Sequence, residues 1–206
     1  MAIAGNNAAN VSLGRPKAGG AIFIAPIGTE LPTAPDSTLD DSTFKCLGFV
    51  SEDGLTNSTD SSTTEIKEWG GNTVIRKRTS WGETYKFTLI EQRDEVFKFV
   101  FGDDNVTTEN GVIKILHNAN SDTENVIVID VLLSGNGIKR IIIPRGSITE
   151  LGDINYKAED VIAYECTVGA LPYDADGNAS VELIKAGTGE EGNTSNSGGD
   201  QSVPSA

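Results

Sequence analysis

The sequence contains one histidine, His117, and two cysteines, Cys46 and Cys166. A lone imidazole cannot supply a histidine pair to a metal, and any Ser–His or Cys–His dyad would have to be built on that one residue. His117 ends an apolar run beside a turn, a poor setting for catalysis. Each cysteine sits in an apolar run, where the thiol acts as a small hydrophobe, so free thiols in a reducing cytoplasm are expected. No apolar stretch approaches the roughly 20 residues of a membrane-spanning helix. Residues 1–10 lack the basic start and apolar run of a secretory leader.

Phosphate and calcium motifs are missing too. Gly135-Asn136-Gly137 lacks a third glycine and a following helix, so it reads as a turn. Asp174-Ala175-Asp176-Gly177-Asn178 resembles the start of a calcium loop, but Lys185 stands where the chelating Glu belongs. These absences predict a protein that is not an enzyme and that holds no metal or cofactor.

Basic residues are scarce: 16 Lys and Arg face 30 Asp and Glu, for a net charge of −14. The final twenty residues hold only three of those acids and no base. The acidity therefore belongs to the folded body, which repels phosphate and argues against tight nucleic-acid binding. The densest basic cluster is Arg76-Lys77-Arg78, with Trp81 nearby. It suits pairing with acids of a neighbouring copy, a solvated strand end, or a DNA contact.

What is present is β-patterning. The 206 residues and 37% hydrophobic content suit one domain, and 23 glycines point to many turns. Residues 1–19 read as an N-terminal arm, 20–186 as the domain, and 187–206 as a disordered Gly/Ser/Asn-rich tail. Strands are predicted at 21–25, 44–51, 63–67, 73–78, 85–90, 112–116, 126–133, 138–143, 162–168 and, shorter, 181–184. Residues 52–62 are polar and read as an exposed loop, and Trp69-Gly70-Gly71-Asn72 as a turn. Residues 94–101 form the one helix candidate: Val96, Phe97, Val100 and Phe101 share a face, acids open it and Gly102 can cap it. The fold class is mainly β, an antiparallel β-sandwich or barrel with one short α-helix. Long Val/Ile strands leave edges that seek partners, and a closed ring of copies would pair them.

Three acids interrupt apolar strands: Glu65, Asp130 and Glu165. A carboxylate inside the domain is costly unless paired, so their face is expected to meet water. In a ring of copies that face is the lumen. The alternative is the outer surface, or pairing with Arg76 or Arg78 of the next copy.

Several segments, in order and spacing, resemble the major tail proteins of long-tailed (siphovirus-type) bacteriophages. The opening is Gly14-Arg15-Pro16, Gly20-Ala21-Ile22, Ala25-Pro26, Gly28-Thr29 and Leu31-Pro32. There follow Leu47-Gly48-Phe49-Val50-Ser51, Asp53-Gly54-Leu55-Thr56, Glu65-Ile66-Lys67-Glu68-Trp69-Gly70-Gly71 and Phe87-Thr88-Leu89-Ile90-Glu91, and residues 160–172 resemble the closing strand. The coverage is about residues 14–185, and no appended immunoglobulin-like domain follows. The resemblance implies the tail-tube fold and a virion protein, assembled in the host cytoplasm. It implies homohexameric rings stacked into a tube on a tape measure protein, ending at tail terminator and baseplate or distal tail proteins. DNA would pass through an acidic lumen as unbound cargo during ejection. It also implies inter-subunit or inter-ring contacts, for which Asp53, Gly54, Leu55, Trp69, Arg76 and Arg78 are the candidates. The alternatives are another virion or injection-system tube component, or a virion surface binding module.

Overall fold

Period-2 alternation sets the inner wall of the sheet. In the computed structural model, which describes residue 6 and residues 11–17, 19–121 and 123–187, the elements are β1 (Gly14–Pro16), β2 (Ile22–Pro26), β3 (Lys45–Cys46), β4 (Val50–Lys67), β5 (Thr73–Leu89), α1 (Asp94–Phe101), β6 (Val106–Glu109), β7 (Val112–Ile115), β8 (Asn125–Leu133), β9 (Ile138–Leu151), β10 (Tyr164–Ala170) and β11 (Val181–Lys185). The residues of the expected tail from 188 onward, and most of residues 1–10, lie outside the described residues. Among the described residues no helix is long and apolar enough to cross a membrane.

The main sheet is antiparallel, in the order β3-β2-β8-β9-β10-β5-β4. β1 pairs β8 beyond the end of β2, β11 pairs the first half of β9, and β6–β7 form a separate hairpin. The sheet does not close into a barrel: its end strands β3 and β4 are not paired to each other. β9 joins its two halves. Ile138 to Ile143 lie beside β8, while Gly146 to Leu151 pair with β10. Between them the β8–β9 register shifts, from Ile127 opposite Ile143 to Asn125 opposite Gly146. Pro144, with no N–H to give, sits in this irregularity, where a ladder bond is not required.

β10 alternates cleanly: Tyr164, Cys166, Val168 and Ala170 are buried and Glu165, Thr167 and Gly169 are not. With Tyr85, Phe87 and Leu89 of β5, Ile127 and Ile129 of β8, and α1, they form the main core. Acids open α1 at Asp94 and Glu95, where the helix dipole favours them. Phe99 stacks on Phe87 with ring centroids 6.2 Å apart, and Phe97 meets Tyr164 edge-on at 5.9 Å. Gly102 ends the helix at φ 91°, a conformation that favours glycine. A second cluster lies on the opposite face of β8 and β9. There Val126, Val128 and Ile142 pack with Ala25 and Phe44, under Leu31, Leu39, Val181 and Leu183. Burial on both faces is why the β8 sequence reads as a nearly continuous apolar run.

The structure corrects three expectations. Residues 52–62 are not a loop but part of β4, and the separate strands expected at 73–78 and 85–90 are one strand, β5. The strand expected at 44–51 is broken at Gly48, where φ is 80° and the next N–H, of Phe49, donates to the Glu91 carboxylate at 2.8 Å. A Cβ at Gly48 would collide with that carboxylate.

Candidate assembly surface

The longest ladder in the molecule belongs to a hairpin that buries almost nothing. β4 and β5 pair from Leu55 opposite Phe87 to Lys67 opposite Thr73. Leu55 and Val50 at its root pack against the core. From Thr56 to the end of β4, and from Thr73 to Trp81 in β5, every residue is exposed. Twelve residue steps from Leu55 to Lys67 carry the ladder about 40 Å, at roughly 3.3 Å per residue. The Ser- and Thr-rich sequence suits a strand with water on both sides, since Thr favours extended backbone without needing a core.

Local polar contacts hold the hairpin. Arg76 donates to Glu65 across the strands, at 2.8 Å from Nε and 2.5 Å from Nη2, and Asn57 donates to Glu83 at 2.7 Å. At the turn, the Glu68 carboxylate accepts from the Gly70 N–H at 2.7 Å and from the Asn72 N–H and side-chain amide at 3.2 and 2.6 Å. The Gly70 and Asn72 hydrogen bonds hold that carboxyl below the usual range. Trp69 sits on this turn with its indole fully exposed, and Ile66, Val74 and Ile75 are each more than half exposed.

The six candidate contact residues fall into two separate groups. Asp53, Gly54 and Leu55 lie at the root, where Gly54 has φ 71° in the irregular stretch before the regular ladder begins. Trp69, Arg76 and Arg78 lie on the distal half, all exposed.

The three strand acids occupy three different settings. Glu65 is on the exposed hairpin and pairs with Arg76 of its own chain. Glu165 is on the outer side of β10, 2.8 Å from Lys86 of β5. That hydrogen bond keeps the Lys86 ammonium above its usual range. Asp130 does not meet water: its side chain has no exposed surface. It accepts from Arg140 at 2.6 Å from Nε and 2.8 Å from Nη2, and from Lys17 at 3.3 Å. The argument from costly burial fails here because the charge is paired.

Sequence reading missed Arg140 and Glu150. Residues equidistant from Gly135 in the β8–β9 hairpin face each other, which places Arg140 opposite Asp130; the four-residue turn expected at 134–137 would have put Ile141 there. Glu150 lies opposite Thr167 on the outer side of β9, on the same polar face as Lys86. A bulge at Thr149 interrupts the alternation that would have marked it.

The structure is similar to the anti-feeding prophage cap, described as the tube-terminating cap, with a TM-score of 0.39 and 9% identity over 90% of this chain and 100% of that chain. It is also similar to a chain of the PVC sheath-tube complex in the extended state, from an extracellular contractile injection system. There the TM-score is 0.36 and the identity 12%, over 79% of this chain and 88% of that one. No curated protein sequence matches the chain. The family model described as phage tail tube protein matches residues 5–190, nearly the whole sequence, and the chain belongs to that family.

Proposed function

We propose that this tail tube protein is a structural subunit that stacks in homohexameric rings to form the tail tube of a long-tailed phage, with an acidic lumen that conducts DNA to the host. Its partners in that role are further copies of itself, the tape measure protein, and terminator and baseplate or distal tail proteins at the ends. The observation that carries the reading is the hairpin: about 40 Å of ladder with no core on either face, on an otherwise acidic body of the tail tube family. A strand pair that buries nothing in its own chain has surface to give to another copy.

In this reading Glu165 and Glu150 help to keep one wall acidic, so that phosphates pass without sticking, and Glu65 is a second lumen candidate. Asp53, Gly54, Leu55, Trp69, Arg76 and Arg78 are the contact candidates between subunits. Electron microscopy of concentrated protein should show rings or tubes. Virions carrying Glu65→Lys and Glu165→Lys together should keep their tails but deliver DNA poorly. Normal delivery would remove these residues from the lumen, and dispersed monomers at every concentration would overturn the reading.

A further inference from the structure

The hairpin tip is apolar and basic, the hairpin root holds an apolar groove beside two acids, and the two cannot meet within one chain. At the root, between the start of β4 and strands β1, β8 and β9, lies an open groove of about 390 Å3. Ile22, Val50, Leu55, Ile129 and Val131 make its walls apolar. Arg15 and the ion pair of Lys139 with Glu182, 2.7 Å apart, add polar lining. The exposed Glu52 and Asp53 connect two lining residues, Ser51 and Gly54. The ladder runs from Leu55 to Lys67 with register shifts after Ser62 and after Ile66, and the tip of the same hairpin stands about 40 Å away.

The tip presents the opposite half of the match. Trp69 is fully exposed beside the exposed Ile66, Val74 and Ile75. Residues 63–78 carry Lys67, Arg76, Lys77 and Arg78 against Glu65 and Glu68, a net charge of +2. Since the whole chain is −14, the remainder is −16. Two copies therefore repel one another through most of their surface and attract through this segment.

Resting on the tube reading above, we infer that the groove receives the hairpin tip of a second copy. Trp69 is the apolar anchor in the groove, and Arg76 and Arg78, which share one face of β5, face Glu52 and Asp53. Tip and groove are different patches, so the contact is head-to-tail. Each docked copy still offers a free tip or a free groove, and the contact propagates until a ring closes or a stack is terminated.

Trp69 reports on the contact directly. A Trp81→Phe variant leaves Trp69 as the sole indole. On assembly its fluorescence should shift to the blue and its quenching by acrylamide should fall severalfold. Trp69→Ala removes no buried surface from the monomer, so its unfolding curve should be unchanged while the concentration needed for assembly rises about tenfold or more. Val131→Arg should block assembly from the groove side, with circular dichroism checking that the fold survives. Assemblies in which Trp69 remains fully quenchable, or in which Trp69→Ala assembles at the wild-type concentration, overturn the contact and leave the tube reading standing. Wild-type protein that never self-associates overturns both.

Discussion

Asp130 and Arg140 are register partners across β8 and β9, and neither side chain has any exposed surface. The remaining donor group of Arg140, Nη1, is taken up by the carbonyls of Ala34 and Ser37 at 3.1 and 2.9 Å and by the Ser37 hydroxyl at 2.9 Å. One guanidinium thus ties the segment between β2 and β3 over the second cluster, while Lys17 ties the N-terminal arm to the same carboxylate.

Arg140→Met should be among the most damaging single substitutions, because it leaves the Asp130 charge buried with only Lys17. A loss of about 3–5 kcal/mol is expected, read as a lower urea midpoint at constant slope. Adding Asp130→Leu should recover most of that loss, since a matched apolar pair can replace a buried ion pair. A single-variant loss below about 1 kcal/mol, as for a surface pair, would refute the assignment.

The hairpin should be dispensable for folding and indispensable for assembly. Asp60 and Gly82 are register partners, so residues 61–81 can be replaced by an Asn-Gly turn. The shortened protein should melt within a few degrees of the parent but stay monomeric by ultracentrifugation. Loss of the folded state would show that the exposed ladder supports the body.

The two free thiols should differ sharply in reactivity. Burial pushes the Cys166 thiol up to about 12, so almost no thiolate exists at neutral pH. Cys46 is only partly buried. A maleimide should label Cys46 in the folded protein and Cys166 only after denaturation, as peptide mass spectrometry would read. Equal labelling rates would contradict the packing of β10.

Acid should loosen the root of the hairpin. Burial raises the Glu83 carboxyl, but hydrogen bonds donated by Ser180, Asn57 and Tyr85 outweigh it and hold the group below its ordinary range. A carboxyl lowered on folding stabilises fully above its unfolded value of about 4.3, and that contribution disappears as pH falls through the folded value. Asp94 acts in the same sense through Lys98 and Thr108. Stability should therefore drop below pH about 4.3, and less steeply in Glu83→Gln. Parallel pH profiles for the two proteins would exclude Glu83 as a contributor.

Where a strand has one face on the core and no bulge, as in β10, its sequence announced it, whereas the second half of β9, with its bulge at Thr149, went unmarked. β10 alternates in sequence as it does in burial, and α1 occupies the predicted residues 94–101 because its apolar face meets β5 and β10. The rule failed at the two extremes. β4 beyond Leu55 has no core on either face, so no period-2 signal marks residues 52–62. β8 has a core on both faces, so Asp130 in its middle looked like a water-facing residue and is an ion-pair partner instead. The assembly candidates Trp69 and Arg76 were visible as residue types, but their distance from Leu55 followed only once β4 was recognised as one continuous strand.

The exposed ladder has a consequence for how this chain can vary. A substitution on β9 must satisfy two packed clusters and an ion pair, whereas one between Thr56 and Trp81 answers to no interior neighbour. Folding therefore filters changes at the finger hardly at all, and the filter that remains is the fit to another molecule. Such a chain can acquire a new docking preference through the finger alone, leaving the body, and the stability it carries, as it was.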